Sequence, residues 1–452
     1  MESLDPPLAR SHSGAARADA DARGGSTNCL AVLGLVPPLV HALLVFGYAV
    51  DFPYWEDDLA FLSLRPEHID WLPWLARSHN EHRLFFSQAI AESANALCGE
   101  IDFRRLIWIG NALLYAFWIS LIASFRRLRT SPTHFAVVTA ILFAPAMWTT
   151  ITWATSTLQN HGVLLLSFCS LAAYRPARPV TILVALSLAS LATFTSASGL
   201  FLFPVLLAWV AANALTARRT RGPFRWTELA QLLLVIAAAS GTALLFFHDH
   251  PDPTHRVDIS AAVAQPVRAV ARTLAVLGSA LSFQRLLGPL GDWTLYAPLL
   301  AGTLVVVFAA IAALRSQFRG QPLLLCWMTY LALTAASIGA GRADAGVMLA
   351  FAPRYATLSA AAIVGTYLAW TGDTRRVITR KSQVITLSLA AAFWMASMVE
   401  NRPRLAERHS RLAQAREEWP QTGDAFYSLF SRGERAARLV RTAVDAGRFS
   451  PD

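Results

Sequence analysis

Residues 30 to 50, LAVLGLVPPLVHALLVFGYAV, run directly into residues 51 to 58, DFPYWEDD. The first stretch is apolar apart from His41 and has the ~20-residue length of a membrane-spanning helix. It is longer than the ~7–15-residue apolar part of a cleaved signal, and no small-x-small cleavage site follows it. It therefore predicts an uncleaved first span. The second stretch sets Glu56, Asp57 and Asp58 at the membrane exit, where acids are costly to hold unless they serve a purpose.

Further along, apolar runs recur near 106–125, 134–152, 160–174, 180–197, 199–215, 228–247, 294–314, 322–340, 353–370 and 383–400. The chain is 55% hydrophobic and 15% charged over 452 residues. Repeated runs of this kind in so weakly charged a chain predict an all-α polytopic membrane protein of about eleven transmembrane helices, with residues 28–400 as its membrane domain. The net charge of +10 does not point to nucleic acid, because the arginines lie in short loops between apolar runs. Arg126, Arg127 and Arg129, then Arg175 and Arg178, Arg218 to Arg225, Arg315 and Arg319, and Arg375 to Lys381 fall in alternate loops. By the positive-inside rule these loops and the polar tail 1–27, expected to be disordered, face the cytoplasm.

The opposite side then receives residues 51–103 as a first loop, 248–293 as a long loop, and 401–452 as a small helical tail. Phe86, Ile90, Ala94 and Leu97 form one face of an amphipathic helix suited to the membrane surface. Residues 267 to 290 are apolar but broken by Arg268, Arg272 and Arg285, and read as a re-entrant or interfacial helix. In the tail, Leu405, Leu412 and Trp419 recur every seven residues, and Glu407 and Arg411 make an i,i+4 pair.

Candidate chemistry gathers on that side. A carboxylate among Glu56, Asp57 and Asp58 can act as general base for a hydroxyl or as a ligand for a divalent cation; acids are also ordinary in solvated loops. In the segment His79 to Arg83, Arg83 suits a bidentate phosphate contact, and Glu81 or His82 suits a proton shuttle. Asn80 and Glu81 equally fit the start of the following helix. Arg342, Arg354 and Tyr355 border a later loop, where an arginine–tyrosine pair also fits interfacial snorkelling. His248 to His255 matches no zinc spacing and reads as a solvated loop. Thr193, Thr195, Ser196 and Ser198 read as a tight turn. Cys29, Cys98, Cys169 and Cys326 show neither metal spacing nor a disulfide framework.

Taken in order, the first span, the acidic Trp-x-Asp-Asp motif ending at Asp58, the Asn80-Glu-His-Arg83 motif, the Ser/Gly turn and the late Arg354-Tyr355 element resemble bacterial membrane proteins similar to GT-C glycosyltransferases. The resemblance covers roughly residues 30 to 400. It implies a GT-C-like bundle in the inner membrane whose active site faces the periplasm. It also implies a polyprenyl-phosphate sugar donor and a glycan or lipid acceptor of the cell envelope. The catalytic base or metal ligand then falls to Asp57 or Asp58, with Glu56 beside them; Asn80, Glu81, His82, Arg83, Arg342, Arg354 and Tyr355 border the substrates. Better-known members often carry Asp-Glu where this chain has Glu-Asp-Asp, which leaves the choice among the acids open. The competing expectations are a lipid-linked glycan flippase, which would need charges deep in its spans, and a non-catalytic membrane subunit.

Overall fold

The computed structural model describes residues 30–79, 82–176, 178, 180–221, 226–249, 259–315, 318, 320–341, 350–371, 379–422 and 433–451. The longer helices are α1 (Val36–Tyr48), α2 (Phe85–Cys98), α3 (Phe103–Ser124), α4 (Pro132–Leu142), α5 (Ala154–Ala173), α6 (Thr181–Thr193), α7 (Leu202–Arg221) and α8 (Trp226–Phe247). They continue with α9 (Pro266–Gly278), α10 (Trp293–Leu314), α11 (Pro322–Gly341), α12 (Ala356–Thr371), α13 (Arg380–Thr422) and α14 (Gly433–Asp445). The strands among the described residues are β1 (Ser78–His79) and β2 (His82–Arg83), an antiparallel pair.

Each predicted apolar run is helical, but they are not alike. Among the described residues, eight helices are long and apolar enough to cross a membrane: Leu30–Tyr48, Phe103–Ser124, Pro132–Ile151, Ala197–Arg219, Trp226–Phe247, Trp293–Leu314, Pro322–Gly341 and Arg380–Trp419. Leu39, Leu43 and Phe46 on α1, and Leu244 and Leu245 on α8, stay exposed on these helices. Outward leucines in such numbers belong in lipid, so the chain is an all-α multi-pass membrane protein. The other expected spans, α5, α6 and α12, fall outside that set. α6 has 13 residues and α12 has 16, short of the ~20 a span needs. α5 opens on Thr155, Ser156, Thr157, Asn160 and His161, too polar a first half to count as apolar.

Polar side chains join the helices inside the bundle. Asn111 Nδ2 on α3 donates to the Ile107 carbonyl at 2.8 Å and the Ile151 carbonyl at 3.0 Å. Those bonds orient the amide, so its oxygen accepts from His41 Nε2 on α1 at 3.0 Å. Buried amides of this kind hold helices together where no hydrophobic drive separates protein from lipid. α4 and α12 run antiparallel: His134 meets Tyr367 at 2.5 Å near one end, and Thr357 meets Met147 Sδ at 3.7 Å near the other. Arg126, Arg127 and Arg129 lead into α4, and the segment Pro353–Tyr355 leads into α12. The arginine loop and Arg354 therefore lie at opposite ends of the bundle.

The expected re-entrant or interfacial helix is α9. It packs against α10, α11 and α12. The approach is backbone to backbone. A Cβ on Gly302 would stand 1.8 Å from the Leu274 carbonyl oxygen, and one on Gly278 would stand 1.8 Å from that of Pro298. Ser359 closes the end of α9 by donating to Leu277 O at 2.6 Å and accepting from Ala280 N–H at 3.1 Å.

The tail differs from the expected separate cap. α13 continues without interruption from Arg380 to Thr422, and the seven-residue repeat Leu405, Leu412 and Trp419 is its buried stripe. After α14 the chain turns at Gly447, with φ of +66°, and returns to the first loop. Arg448 Nη2 lies 2.7 Å from Glu92 Oε1 on α2 and donates to Phe61 O at 2.8 Å. Phe449 packs edge-on against Phe52 and Phe103. The tail thus fastens the first loop from outside.

Candidate active site

The acidic motif sits in an unusual piece of backbone. Trp55 has φ of +58°, a left-handed conformation that side-chain-bearing residues rarely adopt. The next turn, Asp58–Leu62, is a π-helix, a form that recurs at functional sites. Strain of this sort persists only where surrounding structure holds it.

Asp57 and Asp58 are both 1% exposed but are partnered differently. Asp57 Oδ1 accepts from the Thr155 N–H at 2.8 Å and the Thr155 hydroxyl at 2.5 Å, and Oδ2 accepts from the Tyr54 N–H at 3.1 Å. Thr155 lies in the first turn of α5, so Asp57 caps that helix from a distant segment, where the helix dipole favours a negative charge. Burial nevertheless raises its pKa to about 7, against the lowering effect of the Thr155 bonds. Asp58 keeps Oδ1 buried and without a partner among the described residues. Burial raises its pKa to about 6, opposed by its local backbone N–H groups and by His79 and Arg435. Glu56 lies on the more exposed side, 3.4 Å from His79 Nε2. Asp57→Ala removes the acceptor that caps α5 and is expected to lower stability by about 0.5–2 kcal/mol, read as an earlier thermal transition of the detergent-solubilised protein. An unshifted transition would mean the cap is not worth its geometry.

The rest of this end comes from α13. Arg408, 6% exposed, donates to Thr149 O at 3.0 Å and Thr152 Oγ1 at 3.2 Å. Its guanidinium lies 4.4 Å from the ring centres of both Tyr54 and Trp148. One turn earlier, Arg404 pairs with the fully buried Glu400 at 2.8 Å. Glu400 in turn accepts from the N–H groups of Arg285 and Leu286 at 2.8 and 2.9 Å. Beside Arg404 opens a cavity of about 150 Å³ walled by Trp148, Ser282, Gln284, Phe351 and Asn401. The segment Pro353–Tyr355 packs on Trp148–Ile151, which brings Arg354 to the same end; its guanidinium lies 5.3 Å from the Tyr355 ring centre. Asp57 and Arg408 thus reach the same short segment, Thr149–Thr155, from regions far apart in sequence.

Other expected site residues fall elsewhere. Arg83 Nε donates to Phe246 O at 2.7 Å, Nη1 to Ala76 O at 2.5 Å and Nη2 to His248 O. Its guanidinium is committed to the main chain at the end of α8, so it acts as an anchor for the first loop. His82 Nδ1 accepts from the Ala197 N–H at 3.3 Å, against the turn before α7. The Thr193 and Thr195 hydroxyls bond back to the Ala189 and Leu191 carbonyls one helical turn earlier, at the end of α6. α2 begins at Phe85 after the hairpin, and no side chain caps it; the expected start at Asn80 is displaced because His79 and His82 pair as strands. Asn80, Glu81 and Arg342 lie outside the described residues, as do residues 250–258 of the histidine-rich loop and Cys29. Cys98, Cys169 and Cys326 are free thiols.

Glu400, Arg404 and Arg408 were not expected at this site. Their spacing of four places them on one helical face, and that spacing is the signal in the sequence that marks them. Among the described residues no group of three or more His, Cys, Asp or Glu side chains gathers as a metal site would need. No family model, characterised protein or solved structure matches the chain.

Proposed function

We propose that this chain is an integral-membrane glycosyltransferase that moves a sugar from a polyprenyl-phosphate donor to a cell-envelope glycan or lipid. It works at the periplasmic face of a bacterial inner membrane. The observation that carries this reading is Asp58, a buried carboxylate with one oxygen unpartnered among the described residues, in the π-helical turn that follows the left-handed Trp55, at the end of the bundle to which Arg354 and Arg408 also come. Its GT-C-like architecture counts α5, α6 and α12 as further, shorter membrane helices.

In this scheme Asp58 takes the proton from the acceptor hydroxyl. The acceptor oxygen bonds to the anomeric carbon as the bond from that carbon to the phosphate oxygen breaks. The donor leaves as polyprenyl phosphate. Asp57 holds the motif against α5, and Glu56 borders the entrance with His79. Arg354 and Tyr355 border the leaving phosphate, where a cation offsets the charge that develops. His82 borders the approach, and Arg83 supports it through its carbonyl contacts. Deleting the gene in its host is expected to remove one sugar from the envelope glycans, restored by the wild-type gene and not by Asp58→Asn. Unchanged glycan composition would oppose the assignment.

A specific observation favours one other reading. His41 and His161 are buried within the helices, each with a ring nitrogen that lacks a partner among the described residues, and ionisable groups at such depth are frequent in transport paths. Loss of function on His41→Gln with Asp58→Asn fully active would favour lipid-linked glycan transport.

A further inference from the structure

We infer that the cavity beside Trp148 is a binding site for a single uncharged sugar ring. The inference rests on the glycosyl-transfer reading only for what becomes of that ring. Its volume of about 150 Å³ is roughly ten times the ~10–15 Å³ that one water needs in a cavity, room for a small polar molecule such as a single ring.

Its wall is mixed in the way a polyol requires. Trp148 supplies an aromatic side, and its Nε1–H is a buried donor with no partner among the described residues. Asn401 is 3% exposed, and its Nδ2 donates to Ser397 O at 3.1 Å, which leaves the amide oxygen as the acceptor for a ligand. Gln284 uses Oε1 to accept from Arg404 at 3.4 Å, which leaves its amide hydrogens to donate. Ser282 adds a hydroxyl that does both.

Charge decides between a sugar and an anion. Arg404 is the cation of this wall, and Glu400 already neutralises it at 2.8 Å. The guanidinium that a phosphate would meet in this wall is already offset by Glu400, and its oxygens would lie against the Asn401 acceptor. A ring of hydroxyls satisfies donors and acceptors together, and buried polar groups left unmatched would be costly. Position adds to the case: the far side of the cavity wall is the Arg408 guanidinium stacked on Trp148 and Tyr54, and the Tyr54 N–H binds Asp57. A ring in the cavity would therefore lie next to the elements that hold the acidic motif.

The test is saturation-transfer NMR on the full chain in nanodiscs, with a panel of methyl hexopyranosides and with inorganic phosphate. At least one glycoside is expected to bind. Ser282→Phe, which fills the cavity, should abolish binding, and Trp148→Phe, which removes the indole donor and trims the aromatic wall, should weaken it about tenfold. Asp58→Asn should leave it unchanged. Absence of binding by every glycoside, binding that survives Ser282→Phe in a folded protein, or displacement of the glycoside by phosphate would overturn the inference. Should Ser282→Phe fail to fold, the Trp148→Phe result decides. Transfer that persists in Ser282→Phe would remove the subsite and leave the glycosyltransferase; glycoside binding with no transfer by the wild-type protein would do the reverse.

Discussion

Asp58→Asn is expected to lower sugar transfer by about 10²- to 10⁴-fold, the usual contribution of a positioned general base, with no loss of fold. The distinction from its neighbour is the reason. Asp57 has both oxygens bound, to Thr155 and Tyr54, whereas Asp58 has one oxygen buried and unbound. A carboxylate whose lone pairs are occupied caps a helix; one with a free oxygen can take a proton. Asn at 58 keeps size and polarity and removes basicity. The pH dependence follows from the same burial. With the Asp58 pKa raised to about 6, the base is protonated below that value, so activity should fall as pH drops through about 6 and level off above it. Stability moves the other way. A raised carboxyl pKa means the folded state holds the proton more tightly than the unfolded chain does. The stabilising contribution of Asp58 is therefore full below about 3.8 and lost as pH rises through about 6. Activity and stability measured across pH 4–8 should show opposite slopes; parallel slopes would remove Asp58 from the role of base.

The second large effect lies far from the acids in sequence. Arg448→Ala is expected to destabilise the protein by about 3–5 kcal/mol, as breaking a buried ion pair from one side does. Arg448 and Glu92 are 10% and 12% exposed, so solvent does little to screen them. Removing the guanidinium leaves Glu92 unpaired and frees the Phe61 carbonyl, which belongs to the same π-helical turn as Asp58. Transfer should fall with stability, because the turn that presents Asp58 loses its outer clasp. The double variant Arg448→Ala with Glu92→Ala should recover part of the lost stability, since it no longer strands a charge. Thermal unfolding in detergent reads this. A double variant less stable than the single would show that packing of the tail, and not the ion pair, holds the first loop.

The helices were legible because a span needs both length and apolarity, and both are written along the chain. The helix Phe85–Cys98 was legible, but what its stripe faces was not: Phe86, Ile90 and Ala94, expected at a membrane surface, pack on the protein core, and Leu97 is exposed. The repeat Leu405, Leu412 and Trp419 also showed its buried face. What stayed hidden depended on contacts between distant segments. Nothing local separates Asp57 from Asp58; the difference is Thr155, 98 residues away. Arg83 has the look of an anion-binding residue in its own loop, yet its partners are carbonyls at Phe246 and His248. Arg404 and Arg408 were obscured because the tail was expected to start a new unit after Glu400, when α13 carries it straight on from the last apolar run.

The most direct measurement is transfer by the purified protein, supplied with a labelled polyprenyl-phosphate sugar and an extract of envelope acceptors. Release of polyprenyl phosphate together with labelled acceptor, lost in Asp58→Asn while the variant remains folded, is the predicted result. A donor that stays intact with wild-type protein, or is consumed equally by Asp58→Asn, would contradict it.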